Sequence, residues 1–487
     1  MSRINTNVSS LIAQNNLGRT NRSLETSLQR LSTGLQINRG ADDPAGLIVS
    51  ERLRSEIQGA TQAIDNAERA ANVIATTEGA LQEISTLLTS IKALTIEAAN
   101  TGAFSPEEIE ANQLEIDSAV ESITRISNTT SFAGLNLLNG SLDYLDSGVT
   151  VSQISDVNVF GANFGLDDTI AVNVEVINSA EKGSLFISGN TAGAPGAFLS
   201  SVSFELQGNR GVQTFDFASG TALSAVVAAV NNVRDATGVT ARLVSATDQT
   251  SGLVFESEGF GSNDFVSVRK LDDGAFFDTF DAQGGNNINR DAGEDTLALV
   301  NGNLALGDGL DISLNTNTIN LGLTLTSGAA QVSNTPYSFT ITGGGANFQI
   351  GPQVNSLQQV GFGIQSVAAS NLGSTTSGFL NSITTGGDNS LVAGKSREAS
   401  EIIDVAIDQV SQLRGRLGAF ERNTLDTAVR ATSITLENLT ASESSIRDTD
   451  FAAETAELTR TQILQQAGTS TLGIANSNAQ NVLALLG

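Results

Sequence analysis

Both ends of this 487-residue chain carry apolar side chains at alternating steps of four and three, and that spacing fixes most of what the chain can become. Leu53, Ile57, Ala60, Ile64, Ala67, Ala71 and Ile74 follow it, and Leu81, Ile84, Leu88 and Ile91 continue the stripe. A 3.5-residue repeat over several heptads lays one apolar seam along a long helix, and such a seam calls for a helical partner. Asp43 as N-cap with Pro44 at the first helical position supplies a start. From Ala45 to Asn100 this predicts about 84 Å of helix at 1.5 Å per residue, too long for an ordinary globular core. Thr101-Gly102 breaks it. Ser105-Pro106-Glu107-Glu108 restarts it, with Ser105 and Glu108 forming a capping box. Ile109, Ile116 and Ile123 then recur every seven residues, and upstream Leu24, Leu28, Leu31 and Leu35 form a shorter stripe.

The C-terminal region repeats the pattern. Ile403, Ala406, Val410, Leu413, Leu417 and Phe420 keep the four–three alternation, which extends through Ala431, Ile434 and Ala441, with Ser396 as the expected cap. A last stripe runs through Leu458, Ile463, Ala467 and Leu472 to the apolar tail Val482-Leu483-Ala484-Leu485-Leu486. Seams at both termini predict that the two ends lie side by side as one antiparallel bundle.

The middle has a different composition. Residues 131–390 hold 35 of the 48 Gly and 18 of the 21 Phe, with 7 basic against 24 acidic side chains; the ends are nearly charge-balanced. Short alternating pieces such as Ile170–Ile177, Val239–Val244 and Leu321–Leu325, separated by Gly, Asn and Asp, read as strands. One helix is expected at Ala222–Arg234. The predicted fold class is therefore α+β: an antiparallel helical-bundle, coiled-coil core formed by both chain ends, with a β-rich inserted central region.

Composition also removes whole classes of function. With no His and no Cys, a Ser-His-Asp or Cys-His nucleophile pair and a His- or Cys-ligated zinc are impossible. A net charge of −27 argues against nucleic acid and anionic membranes, which a Lys/Arg patch would have to neutralise. The longest apolar run, Ala225–Val230, is far short of the ~20 residues that cross a bilayer, and Met1–Ser10 shows no cleavable signal. Gly343-Gly344-Gly345 lacks phosphate-loop spacing and reads as a turn. Asp272-Asp273 and Asp291–Asp295 lack the EF-hand spacing and read as solvated acidic loops. No catalytic residue, cofactor or metal is expected, and the chain reads as a non-enzyme.

Two motifs then narrow the reading. Leu31-Ser32-Thr33-Gly34-Leu35-Gln36-Ile37-Asn38 followed by Asp42-Asp43-Pro44-Ala45-Gly46-Leu47 resembles the N-terminal signature of bacterial flagellins. Ile446-Arg447-Asp448-Thr449-Asp450-Phe451-Ala452, then Leu458-Thr459 and Gln462–Gly468, resembles their C-terminal signature. Ser203–Leu271 is similar to a flagellin hook-type insert module, and Phe348-Gln349-Ile350-Gly351 to the hairpin that follows the first helical region. Gln36 stands where the family has Arg, and Glu421-Arg422-Asn423-Thr424-Leu425 replaces its Gln-Asn-Arg-Leu.

The resemblance implies a subunit that self-assembles into the flagellar filament, with terminal helices that fold and pack on polymerisation. It implies an inner helical domain from 1–43 and 447–487, an outer helical domain from 44–138 and 346–446, and a surface insert at 139–345. It implies subunit packing through Leu24, Leu28, Leu31, Leu35, Ile37, Leu53, Ile57, Ile64, Ile74, Leu88, Ile403, Val410, Leu417, Leu458, Ile463 and Leu472. An export chaperone would cover Leu458, Ile463, Leu464, Leu472, Val482 and Leu485 before passage through the type III export apparatus. Hook-associated and cap proteins would be further partners, in a secreted, extracellular filament. At the positions through which flagellins engage Toll-like receptor 5, this chain has Ser90, Leu94 and Glu115; the family's Arg is missing, so weak or no activation is expected. A hook–filament junction protein and a secreted coiled-coil adhesin with a β-rich binding insert are the competing readings.

Overall fold

The computed structural model describes residues 6–484 apart from 166, 189–195, 246–250, 273–277, 317 and 334, with residues 479–484 described by backbone only. Its helices are α1 (Val8–Thr33), α2 (Pro44–Ala98), α3 (Pro106–Thr129), α4 (Leu223–Asn231), α5 (Ser396–Phe420), α6 (Asp426–Arg447) and α7 (Phe451–Ala484), besides four-residue turns at Arg234–Thr237 and Ser327–Ala330. Along the chain, helical ends flank a β-rich centre, as the spacing and composition predict. The chain divides into two compact units, Met1–Ala71 with Gln349–Val354 and Phe420–Gly487, and Asn72–Phe348 with Asn355–Ala419. No helix among the described residues is long and apolar enough to cross a membrane.

Helix α2 shows what the seam is made of. Ala60, Ala63, Ala67, Ala70, Ile74, Thr77, Leu81, Ile84, Leu88, Ile91, Thr95 and Ala98 are all buried, an unbroken three–four alternation. The sequence reading puts Ile64 and Ala71 in this seam; both are half-buried on its flank, and Ala63 and Ala70 take their places. Small side chains at the seam let a neighbouring backbone come close, while a β-branched Ile is accommodated at the margin. The start and restart are built as expected. Asp43 Oδ1 accepts from Gly46 N–H at 3.0 Å, and Ser105 and Glu108 form the reciprocal capping box. Ser396 is instead the first helical residue of α5, one position inside the expected cap.

In the second unit a few directed bonds tie α2 to α5 and α3 to the segment that leads into α5. Lys92 Nζ reaches Ser400 Oγ at 2.6 Å and Asp404 Oδ2 at 2.5 Å. The buried Gln113 side chain donates to Ile383 O (2.8 Å) and accepts from Leu391 N–H (2.7 Å), so its burial carries no unpaired amide.

A π-helical turn, Glu421–Leu425, joins α5 to α6. It inserts one residue into the repeat and rotates everything after it by about 100°. Up to Phe420 the predicted stripe is buried; beyond it Ala431, Ile434 and Ala441 are exposed. The shielded positions beyond it recur at steps of three or four: Leu425, Ala428, Thr432, Leu436, Leu439 and Glu443. The predicted extension is corrected by this shift.

The centre holds two β cores, one nested in the other. An eight-stranded antiparallel sheet has the order Tyr144–Ser147, Pro336–Gly344, Ile170–Asn178, Leu297–Val300, Asn303–Asp308, Asp311–Asn315, Ile319–Leu325, Ile154–Ala162. Its two end strands approach each other: Tyr144 Oη accepts from Ala162 N–H at 3.0 Å. Gly363 N–H bonds Phe160 O and Ile364 N–H bonds Leu142 O, each at 2.9 Å, so segment 359–364 seals the seam into a barrel. Closure removes the unpaired edges that would otherwise template aggregation. Val172, Val174, Val176, Leu321, Leu323, Phe339 and Ile341 fill the interior. Gly343, Gly344 and Gly345 all take positive φ, but the first two end the strand Pro336–Gly344 at a bulge and only Gly345 bends out of it, so the expected turn is instead a strand bulge. From α5, Arg416 stacks over Phe160 at 3.7 Å; burial pulls its guanidinium down to about 10, opposed by the Asp143 carboxylate.

Between strands Ile170–Asn178 and Leu297–Val300 the chain leaves the barrel to build the second core. Two four-stranded sheets and α4 enclose Phe204, Phe255, Leu206, Val226 and Val266, all fully buried. Asp291 accepts from Ser184 N–H (2.7 Å), and Asp295 from Ser262 N–H (2.9 Å) and Gly309 N–H (2.8 Å). These acids brace loops at the neck. Asp273, of the other acidic pair, lies outside the described residues.

Because the nested core has its own interior, Phe204→Ala should cost it about 3–5 kcal/mol. Hydrogen exchange should accelerate in Val239–Leu243 and Leu253–Ser257 and stay unchanged in Ile319–Leu325. Equal loss of protection in both regions would show a single core instead.

Candidate functional site

No buried nucleophile–base pair stands out among the described residues. Nor do any three of their Asp or Glu side chains gather to hold a metal ion. The most distinctive surface is the terminal helix pair.

The segments that lead into this pair explain the two sequence motifs. Gly34 ends α1 in the left-handed conformation (φ 74°), its N–H bonding Arg30 O at 2.8 Å. The following residues pair with the segment after α6. Gln36 N–H bonds Arg447 O at 2.7 Å and Thr449 N–H bonds Gly34 O at 2.9 Å, with Leu35 and Asp448 bridged. Asp42 accepts from Arg39 N–H (2.8 Å) and Asn38 N–H (3.0 Å), closing the turn before α2. A Cβ at Gly46 would come within 2.4 Å of the Asp43 carboxylate and 2.7 Å of the Ile37 side chain, so a larger residue there would push both aside. Asp450 caps α7, its Oδ1 accepting from Ala452 and Ala453 N–H at 2.9 and 3.1 Å. Arg447 reaches Glu51 at 2.7 Å. The motif residues thus stop, turn and restart helices.

Helices α1 and α7 then run antiparallel, with contacts from Asn7 to Ala475 (2.9 Å), Asn21 to Gln465 (3.0 Å) and Arg30 to Glu454 (3.5 Å). The shielded positions keep strict heptad spacing: Ser10, Ala13, Leu17, Thr20, Leu24, Ser27 and Leu31 on α1, and Glu454, Leu458, Thr461, Gln465, Gly468, Leu472 and Ala475 on α7. Most are small or polar. Five leucines, Leu17, Leu24, Leu31, Leu458 and Leu472, lie half-buried in the seam, but other bulky aliphatics lie outside it: Val8 is 55% exposed, Leu11 52%, Ile12 57%, Ile463 64% and Ile474 61%. A soluble coiled coil places its aliphatics in the seam and its polar residues outside; this pair divides its aliphatics between the seam and the exposed faces.

The candidate packing residues divide accordingly. Leu28 and Ile463 are exposed; Leu24, Leu31, Leu35, Leu53, Ile57, Ile64, Leu458 and Leu472 are half-buried. Ile37, Ile74, Leu88, Ile403, Val410 and Leu417 are at most 3% exposed and belong to the interior of the single chain. Of the candidate chaperone residues, Leu464 is exposed, while Leu485 and the side chain of Val482 lie outside the described residues. Ser90 and Glu115 are exposed and Leu94 is half-buried. Sequence reasoning missed Val8, Leu11, Ile12, Phe451 and Ile474, because a heptad template picks out the seam and these side chains lie exposed outside it.

Residues 4–143 match the bacterial flagellin N-terminal helical region, residues 400–486 the bacterial flagellin C-terminal helical region, and residues 203–259 the flagellin hook IN motif. The chain is 30% identical to a flagellin of Salmonella rubislaw, 31% to the B-type flagellin of Pseudomonas aeruginosa and 31% to a flagellin of Escherichia coli. Each alignment covers 99% of this chain and 99% of the relative. A flagellar hook-associated protein 3 structure from Legionella pneumophila is 11% identical with a TM-score of 0.32, over 81% of this chain and 98% of that one, too distant to carry an argument.

Backbone bonds from Arg39 and Asn38 hold the Asp42 carboxyl below its ordinary range. A carboxyl lowered on folding stabilises above its unfolded value and ceases to as pH falls through the folded one. Amide protection at Arg39 and Asn38 should therefore persist at neutral pH and fade as pH drops below about 4. Asp42→Asn should weaken that protection already at neutral pH.

Proposed function

The chain belongs to the bacterial flagellin family, and from that premise we propose that its terminal helix pair is the polymerisation element. The protein is a structural subunit of the bacterial flagellar filament. One observation carries the proposal. The α1–α7 pair buries small and polar side chains between its helices and turns Val8, Leu11, Ile12, Leu28, Ile463 and Ile474 to solvent. Ordering roughly sixty residues of helix costs conformational entropy at about 1–2 kcal/mol per residue in the backbone alone. A seam in which only Ser10, Ala13, Ser27, Thr461 and Ala475 are fully buried and five leucines are half-buried offsets only part of that. Copies packed around a common axis would bury the outward aliphatics at about 25 cal/mol per Å², so assembly supplies what the lone pair lacks.

The same reasoning favours an inner domain from 1–43 and 447–487, an outer one from 44–138 and 346–446, and a solvent-facing insert at 139–345. An export chaperone would cover the exposed face of α7 around Ile463 and Leu464 before secretion through the type III apparatus. Cap and hook-associated proteins would meet the same helical ends outside the cell.

Filaments should not form from protein lacking residues 450–487. Leu28→Ser combined with Ile463→Ser should raise the critical concentration for assembly at least about tenfold, the equivalent of 1.4 kcal/mol, with helix content of the monomer unchanged. Polymerisation of the double variant at the parent's concentration, seen by electron microscopy, would remove the proposal.

Ser90 replaces the arginine through which the family engages Toll-like receptor 5. Purified monomer should signal weakly in a receptor reporter cell, and Ser90→Arg should raise the response. A full-strength response from the parent protein would show that the serine is no obstacle.

A further inference from the structure

The outer wall of the barrel carries an apolar ladder with no cover among the described residues. Strands Leu297–Val300 and Asn303–Asp308 form a hairpin around Asn301-Gly302, both at positive φ. Ala298, Val300 and Ala305 point into the barrel and are at most 1% exposed. Strand alternation therefore turns Leu297, Leu299, Leu304 and Leu306 outward. The register pairs Leu299 with Leu304, and its continuation sets Leu297 beside Leu306. Leu304 is 61% exposed and Leu306 76%; Ile177, at a bulge in the adjoining strand, is 40% exposed. Single exposed aliphatics are ordinary, but a contiguous group on a surface strand pair marks a contact site.

The surrounding charge says what that contact is. Glu175 stands opposite Leu299, and Asp308 and Asp311 face each other across the next turn. The barrel segments contain eleven acidic side chains, seven in 139–181 and four in 293–345, and no Lys or Arg. None of these carboxylates has a cation on its own barrel. A second copy of the barrel would bring like charge against like charge.

We propose that the Leu297–Leu306 ladder docks a cationic amphipathic peptide segment of another protein. Its apolar side covers the leucines, and its Lys or Arg side chains answer the surrounding carboxylates. The surface lies on the barrel and uses none of the helices assigned to polymerisation.

The probe is a fluorescent helical peptide with a leucine face and a lysine face, titrated into the full-length protein and followed by anisotropy. A control peptide carries Glu in place of each Lys. The lysine peptide should bind and the glutamate peptide should not. Leu304→Ser with Leu306→Ser should weaken binding at least tenfold, with an unchanged circular dichroism melt, since both side chains are already in solvent. Raising salt from about 0.01 M to about 1 M, which shortens the Debye length from ~30 Å to ~3 Å, should weaken it too. Equal binding to the serine variant would reduce the effect to general attraction by an acidic protein and overturn the proposal. So would self-association of the parent that the serine pair abolishes, in the absence of peptide binding, because the ladder would then belong to a second copy.

Discussion

The constraint on which the rest depends is a mismatch between where heptad spacing puts the helix seam and where the bulky side chains are. In α2 the two agree: Ile74, Leu81, Ile84, Leu88 and Ile91 fill the seam and are at most 1% exposed. In α1 and α7 they disagree, and Ser10, Ser27, Thr461 and Gly468 occupy shielded positions while Ile12 and Ile463 face water. The α2 seam is therefore finished within one chain, whereas the terminal pair leaves aliphatics in solvent, as the proposed polymerisation requires. On that proposal, assembly and single-chain stability fall to different stretches of the heptad pattern.

Much of this architecture is legible in the sequence, and the failures have identifiable causes. The capping box at Ser105, the start at Asp43-Pro44 and the strands at Ile170, Val239 and Leu321 follow from local chemistry that tertiary context does not override. The stripe in α6 departs from the expected one because a π turn at Glu421–Leu425 adds one residue, and nothing in the side-chain pattern announces a change in backbone pitch. Ile64 falls outside the seam because apolarity alone does not distinguish a seam from its flank when the true seam is alanine. The closure of the barrel by residues 359–364 is also out of reach of the sequence, since it depends on Gly363 and Ile364 meeting segments far earlier in the chain. The packing set that periodicity selects mixes interior residues such as Leu88 and Val410 with surface ones such as Ile463. Spacing gives a face, and only burial says which partner that face has.

The flagellin signature motifs acquire a physical meaning here that their wording alone does not supply. Gly34 ends a helix in a conformation that other residues avoid, Asp42 closes a turn with two backbone bonds, Gly46 leaves room for Ile37, and Asp450 starts α7. Together they set α1 beside α7 through the Leu35–Asp448 bridge. Gly34 and Asp450 satisfy helix ends that would otherwise expose unpaired backbone groups, and Asp42 does the same for the turn between them.

The insert is organised so that it can vary without disturbing that arrangement. Its entry and exit meet where Gly345 N–H bonds Asp143 O at 3.0 Å, and the nested core leaves and rejoins the barrel at the Glu181–Glu294 bridge. A loop whose ends are already held together pays only a slowly growing entropy for extra length, about 0.6 kcal/mol per doubling. Each level of insertion then needs only its own interior, which the valine and leucine barrel and the phenylalanine-rich nested core both have. With no Lys or Arg of its own, the barrel gains nothing from surface ion pairs and rests on packing and edge closure. Its surface is thereby free to carry charge of one sign, and an acidic wall with a leucine ladder is a composition that helix packing neither requires nor forbids.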